Sequence, residues 1–152
     1  MALLRDDDAA QLRKIFADEL SGDVTLVLYT QRPSKLVVPG AVPCPSCADT
    51  EALLGEVAGT SDRISLEVHD FAEELAQAAE LGIDKIPATV VTGPGAAGRV
   101  RVFGLPAGYE FGELIESIID VSSSASRLSD ESLAAVADLT DDVHLQVFVT
   151  PT

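Results

Sequence analysis

Basic residues are scarce in this sequence: ten Lys and Arg stand against 25 Asp and Glu, a net charge of −15 over 152 residues. A surface of that sign repels phosphate backbones and anionic headgroups, which argues against nucleic acid and membrane as partners. Long apolar runs are also missing, and none approaches the length that spans a bilayer. The opening Met1-Ala2-Leu3-Leu4-Arg5-Asp6-Asp7-Asp8 lacks the apolar stretch of a secretory leader and turns acidic at once. Together these absences predict a cytoplasmic protein. No glycine-rich dinucleotide fingerprint occurs, so neither NADPH nor flavin binding, and no cofactor, is expected. Cysteine is almost absent: Cys44 and Cys47 are the two in the chain. A secreted disulfide scaffold would scatter its cysteines, whereas a lone close pair in a reducing compartment reads as redox-active or as half of a metal site.

What is present is an α/β pattern. Apolar residues make up 47% of the chain, enough for one domain of about 100–150 residues with a short extension. Leu12, Ile15, Phe16 and Leu20 recur at helical spacing over 6–20, and Asp6, Asp7 and Asp8 are placed to cap its first amides and complement its dipole. Val24 to Thr30 is a nearly continuous apolar run rich in β-branched residues, read as a buried strand. Residues 31–43 carry Pro33, Pro39, Gly40 and Pro43 and read as a loop, with room for an extended piece at Leu36-Val37-Val38.

From Pro45 to Ala58 the pattern is helical, with Ala48, Leu53, Leu54 and Val57 apolar, and Pro45 suits the first turn. A strand follows at 64–68, then a helix over 71–81 with Phe71, Leu75, Ala78 and Ala79 on one face. Pro87 to Val91 is a strand, 93–98 a turn, and Val100 to Phe103 the second arm of a hairpin. Tyr109 to Asp120 is a helix that buries Phe111, Leu114, Ile115, Ile118 and Ile119. After Ser122-Ser123-Ser124 come a short helix over 130–139 and a strand Val143–Val149. Leu20-Ser21-Gly22-Asp23-Val24-Thr25-Leu26 aligns with Leu139-Thr140-Asp141-Asp142-Val143-His144-Leu145, which reads as a duplication.

Cys44-Pro45-Ser46-Cys47 stands where a loop enters a helix. Unpaired amides at a helix N-terminus favour thiolate, the nucleophilic form, at Cys44. Two intervening residues let Cys47 curl back, so that Cys44 attacks a disulfide and Cys47 resolves the mixed disulfide. Pro45 stiffens the turn and Ser46 leaves the approach open. The acidic field of the chain works against thiolate, and the strand Val24–Thr30 contains no acid that would serve Cys47 as a proton acceptor. Two structural thiols and a metal half-site stay open as readings. A tetrahedral zinc site needs four ligands, and the remaining candidates, His69 and His144, lack ligand spacing, so no metal is predicted.

Ile86-Pro87, an X-Pro bond before a strand, is a candidate cis bond; a trans proline at a strand start is the alternative. A cis bond would turn the Ile86 backbone toward the sulfurs, where it could pair with an extended substrate. Lys85 is the one cation nearby, with a solvated loop lysine as its other reading.

The order strand, Cys44–Cys47 helix, strand, helix, Ile86-Pro87-Ala88-Thr89-Val90-Val91 strand, hairpin and helix resembles the thioredoxin superfamily. Phe103-Gly104-Leu105-Pro106-Ala107-Gly108-Tyr109-Glu110-Phe111, Ile118 to Ser122 and the closing Val147 to Thr152 narrow it. These stretches resemble the glutaredoxin-like protein disulfide oxidoreductases of archaea and bacteria. They are similar, more distantly, to the N-terminal module of the alkyl hydroperoxide reductase flavoprotein. The resemblance implies a thioredoxin-like fold, a mixed central sheet flanked by helices, with a C-terminal helix–strand extension. It implies Cys44 as attacking and Cys47 as resolving cysteine, and Pro87 as cis proline with Ile86 as the substrate-pairing residue.

Those families carry two units in tandem, so the expected division is a thioredoxin-like domain over 1–121, and over 122–152 a linker and the start of a second, truncated unit. A second CxxC would follow at about Thr152, and residues 31–43 form a longer loop than the family pattern leads one to expect. The expected function is thiol–disulfide exchange on protein disulfides, with an external thiol or a flavoprotein reductase as electron donor. A non-catalytic redox-responsive binding or assembly module is the alternative. The strand Val143–Val149 is expected to join a sheet edge or to pair with a second subunit in a homodimer.

Overall fold

In a computed structural model of the chain, residues 3–32 and 43–148 are described. The elements run α1 (Asp6–Glu19), β1 (Val24–Thr30), α2 (Cys47–Ala58), β2 (Ile64–Asp70), α3 (Leu75–Glu80), β3 (Ala88–Gly93), β4 (Ala96–Phe103), α4 (Tyr109–Ser122) and α5 (Asp130–Ala137). The strands form one mixed sheet in the order β2-β1-β3-β4. β1 pairs parallel to β2 and antiparallel to β3, and β3 pairs antiparallel to β4.

The β-branched run of β1 occupies a central position because both of its faces are covered. Val24, Leu26 and Leu28 enter the larger core with Leu54 and Val57 of α2, Leu12 and Phe16 of α1, and Leu114 and Ile118 of α4. Tyr29 enters a second core on the opposite face with Ala78, Ile83, Ala88 and Val90. A parallel pair needs a crossover, and α2 supplies it. The N-terminus of α2 therefore lies at the same end of the sheet as Thr30, where β1 stops. The proposed loop 31–43, with its extended piece at 36–38, falls almost wholly outside the described residues.

Several local expectations change. Asp6, Asp7 and Asp8 lie in the first turn of α1, yet no side chain caps it; Asp8 instead holds Arg5 at 2.9 Å, and the triplet acts on the dipole alone. The amides of Leu3 and Leu4 donate to Glu56 of α2, at 2.8 and 2.7 Å. The helix expected from Phe71 begins at Leu75, because Asp70 takes over the backbone first: its carbonyl accepts from Glu73 and Glu74 and its carboxylate from Ala72. Leu75, expected in the core, is consequently exposed. The turn expected over 93–98 shrinks to Pro94-Gly95. Gly95 donates its N–H to Val121 at 2.8 Å, and a side-chain carbon there would collide with the Ser123 carbonyl.

The C-terminal segment departs most. Ser129 caps α5 by accepting the Ser132 N–H at 3.2 Å, and Arg127 ties the linker to Glu116 and Asp120 of α4. No residue of α5 is buried. Over 143–148 no strand forms, and Val149 lies outside the described residues. A strand takes its hydrogen bonds from a neighbour. This segment joins neither sheet edge, and Leu145, Val147 and Phe148 are 84–89% exposed.

Candidate active site at Cys44 and Cys47

The alternating backbone of β1 ends at Thr30, and the chain returns at Pro43 to begin a turn at Pro45 and Ser46. The helix starts at Cys47, two residues later than Pro45, because the Ser46 carbonyl accepts the first intrahelical bond, from Thr50 N at 2.9 Å. Pro45 and Ser46 thus form the turn itself rather than the first helical turn. Within it, Cys44 and Cys47 form a disulfide with their Cα atoms 5.5 Å apart.

The two sulfur-bearing residues differ in access. Cys44 is half-buried, whereas Cys47 is 2% exposed and lies on the buried stripe of α2 with Thr50, Leu54 and Val57. Cys44 is further held by Gln31: its backbone N–H donates to the Gln31 side-chain oxygen at 2.9 Å. That tie links the end of β1 directly to the cysteine. Asp70, at the end of β2, accepts the amides of Arg32 and Ala72 at 3.2 and 2.9 Å and so fixes the adjoining turn.

The Ile86–Pro87 peptide is cis. Pro87 is buried and Ile86 half-buried, and among the described residues neither backbone group of Ile86 makes a backbone hydrogen bond. The Pro87 carbonyl accepts the Gly104 N–H at 2.8 Å, which fastens the Phe103–Phe111 stretch to the start of β3. Gly104 does this at φ +90°, a conformation that L side chains rarely adopt. Lys85 is turned aside: its ammonium lies 5.0 Å from the centre of the Phe103 ring and 3.7 Å from Asp84.

Neither histidine joins the cysteines. His69 Nδ1 and the Glu74 carboxylate are hydrogen-bonded at 2.7 Å, the carboxylate accepting, and the ring stacks on Tyr29 with ring centres 5.3 Å apart. Burial, with Glu74 and Glu80 nearby, pushes the Tyr29 hydroxyl up from its ordinary range. His144 is exposed in the C-terminal segment. Among the described residues, no three or more His, Cys, Asp or Glu side chains are grouped to hold a metal ion. An apolar cleft of about 710 Å³ lies apart from the sulfurs, between α1 and α4, with Leu12, Ile15, Leu53 and Phe111 in its wall.

Gln31 and Asp70 were not visible as site residues in the sequence. Gln31 follows the last residue of β1 and Asp70 ends β2, and position at that end of the sheet was the available signal.

The sheet order, the α2 crossover and the CxxC disulfide at a helix N-terminus define a thioredoxin-like chain. It is similar to the alkyl hydroperoxide reductase AhpF of Staphylococcus aureus, 26% identical over 104 residues, 68% of this chain and 18% of that protein. It is also similar to the solved NTD_N/C domain of alkylhydroperoxide reductase AhpF from Enterococcus faecalis. There the TM-score is 0.67 and the identity 25%, over 84% of this chain and 57% of that one. A protein disulfide oxidoreductase from Aeropyrum pernix superposes with a TM-score of 0.72 at 23% identity, over 89% of this chain and 55% of that one. No family model matches the sequence. The chain thus spans less than a fifth of its curated relative and little more than half of these two structures.

Proposed function

We propose that the chain exchanges protein disulfides through Cys44 and Cys47. The observation that carries this reading is the unequal access of the two cysteines. Exchange needs one sulfur that a substrate can reach and a second, shielded from solvent, that attacks only the sulfur beside it. The half-buried Cys44 and the 2% exposed Cys47 meet that requirement. Cys44 is the attacking and Cys47 the resolving residue, and Pro45 and Ser46 shape the turn between them. The backbone groups of Ile86, unpaired among the described residues and beside Pro87, offer an extended substrate two hydrogen bonds.

Electrons come from an external thiol or from a flavoprotein reductase, and the substrates are disulfide-bearing proteins of the cytoplasm. No helix among the described residues is long and apolar enough to cross a membrane. Residues 122–152 begin a second thioredoxin-like unit. The match between 20–26 and 139–145 and the Ser129-capped helix α5 support that division.

The test is dithiothreitol-driven reduction of insulin by the wild-type chain and by Cys44→Ser. Acceleration that disappears in the variant is the expected result. A folded wild-type chain with free thiols and no acceleration refutes it and leaves the redox-responsive binding module. One observation favours that second reading: the apolar side chains of Leu133, Val136, Leu139 and Val143 are 40–60% exposed, as a surface for a partner or a second copy would have them.

A further inference from the structure

Resolution of a mixed disulfide requires the Cys47 thiol to become a thiolate, and a thiolate in a buried place needs donors. Among the described residues no charged side chain supplies them. β1 and β3 contain none, and Asp49 and Glu51 of α2 and Glu110, Glu113, Glu116 and Asp120 of α4 are exposed. Arg32 and Lys85 are exposed as well, and Asp70 is engaged by amides.

Two neutral hydroxyls are in place instead. Thr30 and Thr89 are 1% and 0% exposed, and their Oγ1 atoms are buried without a hydrogen-bond partner among the described residues. Thr50, buried as completely, is satisfied: its hydroxyl donates to the Ser46 carbonyl at 2.8 Å. A buried hydroxyl left unpaired loses its hydrogen bonds to water without replacement, so two at one end of a sheet require an explanation.

Their placement provides it. Thr30 continues the alternation Val24, Leu26, Leu28 on the face of the sheet that α2 covers. Thr89 shares that face with Val91 and pairs with Leu28, so it is the diagonal neighbour of Thr30. As the crossover between parallel strands, α2 runs back along β1. Its buried stripe reads Val57, Leu54, Thr50, Cys47 toward the end where β1 reads Val24, Leu26, Leu28, Thr30. Both stripes change from aliphatic to polar at the same level. Thr30 and Thr89 thus stand, buried, at the end of the sheet that the N-terminal turns of α2 cover, where Thr50 and Cys47 are the buried residues of that helix.

We propose that Thr30 and Thr89 are positioning residues for Cys47, supplying the hydrogen-bond donors that stabilise its thiolate during resolution. The inference rests on the exchange reading. In the disulfide form both hydroxyls lack a hydrogen-bond partner among the described residues. In the mixed disulfide, Cys47 gives up its proton and its sulfur attacks Cys44. The Cys44–Cys47 bond forms, the bond from Cys44 to the substrate sulfur breaks, and the departing substrate sulfur takes the electron pair and a proton. No further oxidant or reductant enters the step.

Cys44→Ser leaves Cys47 as the single thiol of the chain, so thiolate absorbance in the ultraviolet can be titrated against pH without any disulfide substrate. Adding Thr30→Val and Thr89→Val together should raise the midpoint by about one unit, a tenfold loss of thiolate at a given pH. Thr30→Ser, which keeps the hydroxyl, should restore most of it. An unmoved midpoint in the double variant, or an equal rise in the serine variant, overturns the proposal. Thr→Ala replacements serve if the valine variants fail to fold, and the same outcomes decide. Because insulin reduction is measured separately with Cys44 intact, loss of the exchange reading and loss of this one are distinguishable.

Discussion

The side-chain oxygen of Gln31 accepts the backbone N–H of Cys44 at 2.9 Å, tying the first residue after β1 to a cysteine thirteen positions away. The bond lies at the surface, and a neutral hydrogen bond contributes about 0.5–1.5 kcal/mol net. Gln31→Ala should therefore lower the melting temperature only slightly while slowing insulin reduction severalfold, because Cys44 is no longer held. An unaltered rate would show that the turn positions Cys44 without help.

The unequal access of the two sulfurs sets different fates for their variants. With Cys47→Ser, attack by Cys44 proceeds but resolution does not, so a covalent adduct with a disulfide substrate should accumulate. Cys44→Ser should give none. Intact-protein mass spectrometry after incubation with oxidised substrate reads both. Adducts at Cys47 in the Cys44→Ser chain would reverse the assignment.

Glu56 gives a pH dependence with a definite sign. The amides of Leu4 and Leu3 donate to its carboxylate and hold it below the usual glutamate range. Its folded value being depressed, its contribution is complete above the unfolded value and is lost as pH falls through the folded one. Protection of the Leu3 and Leu4 amides, measured against their intrinsic exchange rates, should persist at neutral pH and be lost only below the ordinary glutamate value of about 4.3. Glu56→Ala should remove that protection at every pH.

Burial separates the core from the C-terminal helix. Leu54 is fully buried between α2 and β1, and Leu54→Ala should cost about 2–5 kcal/mol in denaturant unfolding. Leu133, on α5, is 40% exposed, and Leu133→Ala should stay within about 0.5 kcal/mol. A large loss at Leu133 would mean that α5 is covered in solution.

Strands and helices whose residues face a core were legible from periodicity. Val24–Thr30 forms β1 with the stated bounds, and Leu114, Ile115, Ile118 and Ile119 are the buried face of α4. Elements decided by local competition were less so. Phe71 reads as helical until the Asp70 carboxylate and carbonyl claim the next amides. The alternation at 143–148 reads as a strand, but alternation supplies no partner edge. At the site, the cysteine pair and Ile86-Pro87 announce themselves by residue type. Gln31, Asp70, Thr30 and Thr89 do not, since amides, acids and threonines of their kind occur throughout the chain.

What the sequence determined alone was covalent and local: two cysteines spaced to close a small ring, a proline ahead of a strand, a net charge of −15, and the apolar periods that assign residues to a core. Which cysteine is open and which is shielded was decided by tertiary structure, because burial depends on the sheet against which α2 packs. The same holds for the buried threonines of the sheet. Thr30 and Thr89 are separated along the chain, and only the pairing of β3 with β1 makes them diagonal neighbours.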